Sequence, residues 1–271
     1  MPAMPIADLG DIRLHYRRHG DDDKPPAVGI MGLQLDQRFW AAQIPAVIKT
    51  HSFVTFDNRG IGRSSGPPAV TVDEMADDTV RLMDHLDIER AVLFGPSMGG
   101  TIAQRIALDH PERVQALILA VTWARPIEFM RRQLDLGRMI VRAGGADAFA
   151  RAALVRMFTP VFFEIGAEMV DRLTRVLDAE EERVDAEAVL DAQLDAIEKH
   201  DVLPDLGRIG VPTLVIGARM DQMAPYFASE EIAAAIPGAR LVSFDSGHAV
   251  MVEEMQGVND AVEEFLTSIC A

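Results

Sequence analysis

The sequence predicts an α/β fold, a mostly parallel central sheet covered by helices on both faces and interrupted once by a helical insertion. Three observations lead there. Short apolar runs such as Ala91-Val-Leu-Phe94 and Val114 to Val121, apolar but for Gln115, alternate with segments whose apolar residues recur at helical spacing, the rhythm of parallel strands buried on both faces. That rhythm stops between about Trp123 and Leu206, where only helical spacing is found. Finally, the Ala91 run ends abruptly at Gly95-Pro-Ser-Met-Gly99 and passes at once into Ile102, Ala103, Ile106 and Ala107, which reads as strand, sharp turn and helix with a serine at the apex.

Taken in order, Ile12-Arg-Leu-His-Tyr16 alternates apolar and polar residues as a half-exposed edge strand does, and Gly10-Asp11 reads as the turn from an earlier short strand. Asp21 to Pro26 is a charged loop. Ala27-Val-Gly-Ile-Met31 is a central strand running into Gly32-Leu-Gln-Leu-Asp36, after which Phe39, Trp40, Ile44 and Val47 suggest a helix. Ser52 to Asp57 is the next strand and ends in the turn-rich stretch Asn58 to Pro68, where Asp57, like Asp36, is expected to organise its loop. Val72, Met75, Ala76, Thr79, Val80 and Met83 keep helical spacing, with Thr71 or Asp73 as the cap. Beyond the Val114 strand, helices are expected over Ile127–Val141, Ala146–Phe158, Ile165–Leu177 and Val184–Ile197, with breaks at Gly144-Gly145 and Thr159-Pro160. The sheet resumes at Val211–Ile216, followed by a helix near Glu230–Ile236, a strand at Arg240–Phe244 and a closing helix from about Glu253 to Ile269. The expected organisation is a core of residues 1–122 and 207–271 with a helical cap over 123–206.

Composition bounds the function. Of 271 residues 49% are hydrophobic, enough for a sizeable core and too many for a disordered chain. A net charge of -16 and a pI near 4.8 repel phosphate backbones and anionic lipid, so neither nucleic acid nor a membrane is an expected partner. The one cysteine, Cys270, allows no internal disulfide. The start Met1-Pro-Ala-Met-Pro-Ile6 has neither the basic residues nor the apolar run of a signal peptide, and the expected location is the cytoplasm. Self-association is left open by the sequence.

Chemistry in a parallel sheet gathers outside the carboxyl ends of the strands. Ser97 lies at such an end, and a serine becomes a useful nucleophile only when a base takes its proton and a carboxylate holds that base. Asp221 follows the Val211 strand and His248 the Arg240 strand, giving the order Ser, Asp, His, with Asp245 as a nearby rival acid. The other histidines, His15, His19, His51, His85, His110 and His200, fall at edge, surface or helix-end positions and are expected to be solvated. Attack on an acyl carbon builds an oxyanion that backbone N–H groups must receive. Met98, directly after the serine, offers one donor, and the loop after Met31 offers the second, Leu33 first and Gly32 in reserve.

Phe56-Asp-Asn-Arg-Gly-Ile-Gly-Arg-Ser64, Gly95-Pro-Ser-Met-Gly-Gly100, Pro111-Glu-Arg-Val114, Pro212, Asp221 and Gly247-His248 together make the chain similar to the α/β-hydrolase fold family over nearly its whole length. The resemblance implies a Ser97, His248 and Asp221 triad, a cap over the site, and no metal or organic cofactor. It departs from the family pattern at Met31-Gly32, where His-Gly is common, and this bears on the shape of the oxyanion loop. The cap supplies bulky apolar residues, among which Trp123, Phe129, Met130 and Phe158 are the expected pocket residues. The activity expected is hydrolysis of a small or medium carboxylic ester. A lactonase resembling the enol-lactone hydrolases and a carbon-carbon bond hydrolase use the same chemistry, and a ligand receptor of the same fold is the alternative from a different class.

Overall fold

The computed structural model describes residues 5–178 and 185–270. Its centre is an eight-stranded sheet ordered β1 (Ile6–Asp8), β2 (Arg13–His19), β4 (Ser52–Phe56), β3 (Pro26–Gly29), β5 (Ala91–Pro96), β6 (Val114–Ala120), β7 (Thr213–Ala218) and β8 (Arg240–Phe244). The pairs β1·β2 and β2·β4 are antiparallel and every later pair is parallel. The Ile12 segment is therefore a second strand rather than an edge, because β1 covers its outer side.

Alternation along each strand divides the core in two. Val28, Leu93, Leu117 and Leu119 face one apolar cluster, while Ala27, Val92, Phe94, Ala116 and Ile118 face the other. The first face is covered by α2 (Val72–His85), α3 (Met98–Asp109) and α8 (Tyr226–Ala235); the second by α1 (Ile44–Val47) and α10 (Met255–Cys270). The expected helix after Gly32 is broken into a 3-10 turn over Gln37–Ala42 and the single-turn α1, because Asp36 caps the first and Pro45 opens the second. Trp40 from that turn is fully buried and meets Phe53 and Phe94 edge-on at 5.3 and 4.7 Å, so this short element is held by packing rather than by helical length. Thr71 caps α2 in a reciprocal arrangement with Glu74.

Between β6 and β7 lie α4 (Glu128–Met157), α5 (Pro160–Ile165), α6 (Ala167–Asp178) and α7 (Ala186–Lys199), with no strand among the described residues. Two of the expected helices run together as α4, and Gly145, with φ +77°, marks the bend between them. Part of the expected Val184 helix start lies outside the described residues. The short α9 (Val250–Glu253) precedes α10. Among the described residues no helix is long and apolar enough to cross a membrane.

Candidate active site

The turn between β5 and α3 holds Ser97 at φ 54° and ψ -125°, a conformation that costs a non-glycine residue free energy and persists only when its surroundings enforce it. Here they do. Ser97 N–H donates to Ala120 O (2.9 Å), and Ser97 O accepts from Gly100 N (2.9 Å) and Thr122 Oγ1 (2.7 Å). The turn can be this sharp because Gly99 lies against β3: a Cβ there would sit 1.9 Å from Ile30 O. The serine hydroxyl is thereby carried to the floor of a cavity of about 990 Å³.

Two further strand ends deliver its partners. Arg219 N donates to Phe244 O and Met220 N to Ser246 O, which fastens the segment after β7 to the segment after β8. That pairing brings Asp221 beside His248. Asp221 Oδ2 is 2.8 Å from His248 Nδ1, and His248 Nε2 is 3.0 Å from Ser97 Oγ. The other oxygen, Oδ1, accepts from Met223 N (2.7 Å) and Ala224 N (2.9 Å), so the carboxylate is fixed on both sides with none of its side chain exposed. With the carboxylate accepting at Nδ1, a neutral His248 carries its hydrogen there and keeps Nε2 as an acceptor for the serine proton. The rival Asp245 instead pairs with Arg219 (2.9 Å) at the surface.

The loop after β3 closes the other side of Ser97. A Cβ on Gly32 would stand 3.3 Å from Ser97 Cβ and 3.9 Å from its Oγ, so this loop passes directly beside the hydroxyl. Asn58 Nδ2 donates to Met31 O (3.0 Å) and steadies the loop from below. Met31 itself is buried and lines the cavity. Among the described residues neither Leu33 N–H nor Met98 N–H has a protein acceptor, which leaves both amides able to receive a developing negative charge.

The cavity wall opposite Ser97 comes from α4 and α7. Of the four expected pocket residues only Phe158 lines it. Trp123 and Met130 are turned into the main core, and Phe129 is half exposed on the outside of α4; a stripe of helical spacing does not say which neighbour its apolar face meets. Their places are taken by Phe149, Ala150, Ala153 and Leu154, and by Leu35 and Phe39 from below. Every residue among those described that lines the cavity with a full charge is acidic: Asp147, Asp185, Glu187 and Asp191.

The histidines expected in solvent divide. His85 is exposed, whereas His15, His51 and His200 are buried. His15 Nδ1 lies 2.8 Å from Asp57 Oδ2, part of the network by which Asp57 also accepts from Gln37 N (2.9 Å) and Arg63 N (3.2 Å). His200 is driven down to about 4 by burial and, secondarily, by Arg105. Among the described residues no group of three His, Cys, Asp or Glu side chains is placed to hold a metal.

Residues 31–255 match the family model described as alpha/beta hydrolase fold. A relative from Azorhizobium caulinodans, named "Putative carbamate hydrolase RutD", is 33% identical over 275 residues, covering 98% of each chain. The 3-oxoadipate enol-lactonase 2 of Acinetobacter baylyi is 32% identical over 97% of both chains. Among solved structures, the enol-lactonase from Burkholderia xenovorans LB400 superposes with a TM-score of 0.88 at 30% identity, covering 97% of this chain and all of that one.

Proposed function

The chain belongs to the α/β-hydrolase fold family and is a hydrolase, and from that premise we propose that it cleaves a small or medium carboxylic ester through an acyl-enzyme formed at Ser97. The observation that carries the reading is the continuous Asp221, His248, Ser97 hydrogen-bond chain, with contacts of 2.8 and 3.0 Å, on the floor of an apolar cavity.

In the first half-reaction Ser97 Oγ attacks the acyl carbon while His248 Nε2 takes its proton. Asp221 holds the imidazole through Nδ1 and stabilises the cation that forms, without itself becoming protonated. Leu33 N–H and Met98 N–H receive the oxyanion. As the tetrahedral species collapses, His248 returns the proton to the departing alcohol. A water then repeats the sequence on the acyl-enzyme, losing its proton to His248, and the carboxylic acid leaves. Residues 123–206 act as the cap that sets which acyl or alcohol group fits. Its apolar lining favours an uncharged group there.

A second reading, a lactonase, is favoured by the two enol-lactonases among the similar proteins. A lactone is a cyclic ester and would open by the same steps, the alcohol remaining attached to the acyl group. Turnover of a short p-nitrophenyl ester by the wild type, lost in Ser97→Ala, is the expected result for either reading; equal rates for the two proteins would remove Ser97 as the nucleophile. Comparing a lactone with its open-chain ester then separates the two.

A further inference from the structure

We propose that Glu253 is a positioning residue that holds the His248 loop in register with the cap. The proposal rests on the reading of His248 as the base for Ser97.

Glu253 lies five positions after His248, at the end of α9, and its carboxylate points back across the loop rather than into solvent. Oε1 accepts from Gly247 N (3.3 Å) and from Thr159 N (3.0 Å), and Oε2 accepts from Thr159 Oγ1 (2.7 Å). One carboxylate thus joins the residue before His248 to the residue that opens α5. The residue after His248 is tied to the same segment directly, because Ala249 N donates to Met157 O (2.8 Å). Both neighbours of the base therefore have their amides committed to residues 157–159 or to the side chain that binds them. The fit is close: a Cβ on Gly247 would lie 2.6 Å from Met157 O and 2.9 Å from Glu253 Oε1. Apolar packing follows the same line, since Ala249 shares a buried cluster with Leu154, Phe158 and Val170.

This arrangement bears on function because the side-chain contacts of His248 fix only its ring. Asp221 and Ser97 hold the two nitrogens, but the height of the ring above Ser97 depends on where the backbone of 247–249 runs. A shift of about 1 Å at a reacting group can lower a rate by about 100-fold. Phe158, which lines the cavity, is the residue between the two that the loop is tied to. The wall that touches substrate and the group that takes the proton are therefore mechanically one piece, joined through Glu253 and Thr159.

The test is steady-state turnover of a short p-nitrophenyl ester, too small to need the cap, by the wild type and by Ser97→Ala, Glu253→Ala, Glu253→Gln and Thr159→Val. Loss of turnover in Ser97→Ala establishes the reading beneath the proposal; its retention overturns both. With that in place, Glu253→Ala is expected to lower kcat about tenfold with KM within about twofold. Glu253→Gln keeps an acceptor at Oε1 and is expected to recover to within about threefold of the wild type, and Thr159→Val to fall between. An unchanged kcat in Glu253→Ala, or a raised KM alone, overturns the proposal by showing that Glu253 only shapes the cap. If thermal unfolding shows that Glu253→Ala has lost its fold, Thr159→Val decides, since it removes a single hydroxyl: a wild-type kcat there overturns the proposal.

Discussion

Replacing Asp221 by Asn separates the electrostatic role of the carboxylate from its structural one. Oδ1 receives two backbone N–H groups, from Met223 (2.7 Å) and Ala224 (2.9 Å). An asparagine can satisfy them only with its carbonyl oxygen on that side, because the flipped amide would face two donors with its own NH2. The orientation is therefore locked, and the NH2 group must point at His248 Nδ1, which now has to accept. A neutral imidazole accepting at Nδ1 carries its hydrogen on Nε2, where it can no longer take the proton from Ser97 Oγ, 3.0 Å away. Forcing the wrong tautomer in a serine, histidine and aspartate system lowers kcat about 10⁴-fold, which corresponds to about 5 kcal/mol of transition-state stabilisation. Stability should hardly change, since the two backbone bonds survive and the side-chain volume is the same. The assay is kcat on a chromogenic ester alongside a thermal melt. A variant that folds like the wild type and keeps kcat within tenfold would refute Asp221 as the group that sets the tautomer of His248.

The acidic residues that line the cavity, Asp147, Asp185, Glu187 and Asp191, should select against anionic substrates. Taking about 10 Å and the dielectric of water, four charges repel a carboxylate by about 1.7 kcal/mol, so a carboxylate-tipped ester should show about 20-fold lower kcat/KM than its neutral isostere at low ionic strength. The gap should close toward 1 M salt, and equal values at low salt would refute the effect. His200 supplies a pH prediction. Its folded-state pKa of about 4 lies below the ordinary histidine value of 6.5, so the unfolded chain binds the proton first and stability falls as pH drops below about 6.5, levelling near 4. Urea titrations should show a drop between pH 7 and 4.5 that is about 2 kcal/mol shallower in His200→Leu than in the wild type; identical slopes would refute the assignment.

The sheet and the candidate site were legible in the sequence for the same reason. Buried parallel strands such as β5 and β7 are nearly continuous apolar runs, so their ends are visible and Ser97 and Asp221 lie just beyond them, while His248 follows the half-buried edge strand β8, marked by its own shorter apolar run. Local chemistry also narrowed the cap of α2 to Thr71 or Asp73, of which the structure uses Thr71, and marked the turn at Gly95 to Gly99. Features decided by which face of a helix meets which neighbour were not legible. Trp123, Phe129 and Met130 look like pocket residues and are not, while Ala150 and Ala153 line the cavity without any apolar bulk to advertise it. His15 reads as a surface residue because the groups that bury and bond it, Gln37, Asp57 and Ser64, lie 22, 42 and 49 positions away in sequence. Glu253 and Thr159 are 94 positions apart, and nothing in either local stretch announces the bond.

β6 and β7 are hydrogen-bonded neighbours, paired from Leu117 with Thr213 to Ala120 with Ile216, although about ninety residues of chain separate them. The entropy of closing such an excursion grows only as (3/2)RT ln n, so lengthening an ordinary crossover of about 30 residues to this size costs about 1 kcal/mol. Chain can therefore be added, trimmed or exchanged at this junction with little effect on how the strands find one another. On the proposed function, the triad and the cap that selects substrate would sit on separately variable lengths of polypeptide, and the 157–159 contact with the His248 loop is the point at which any transplanted segment would have to match.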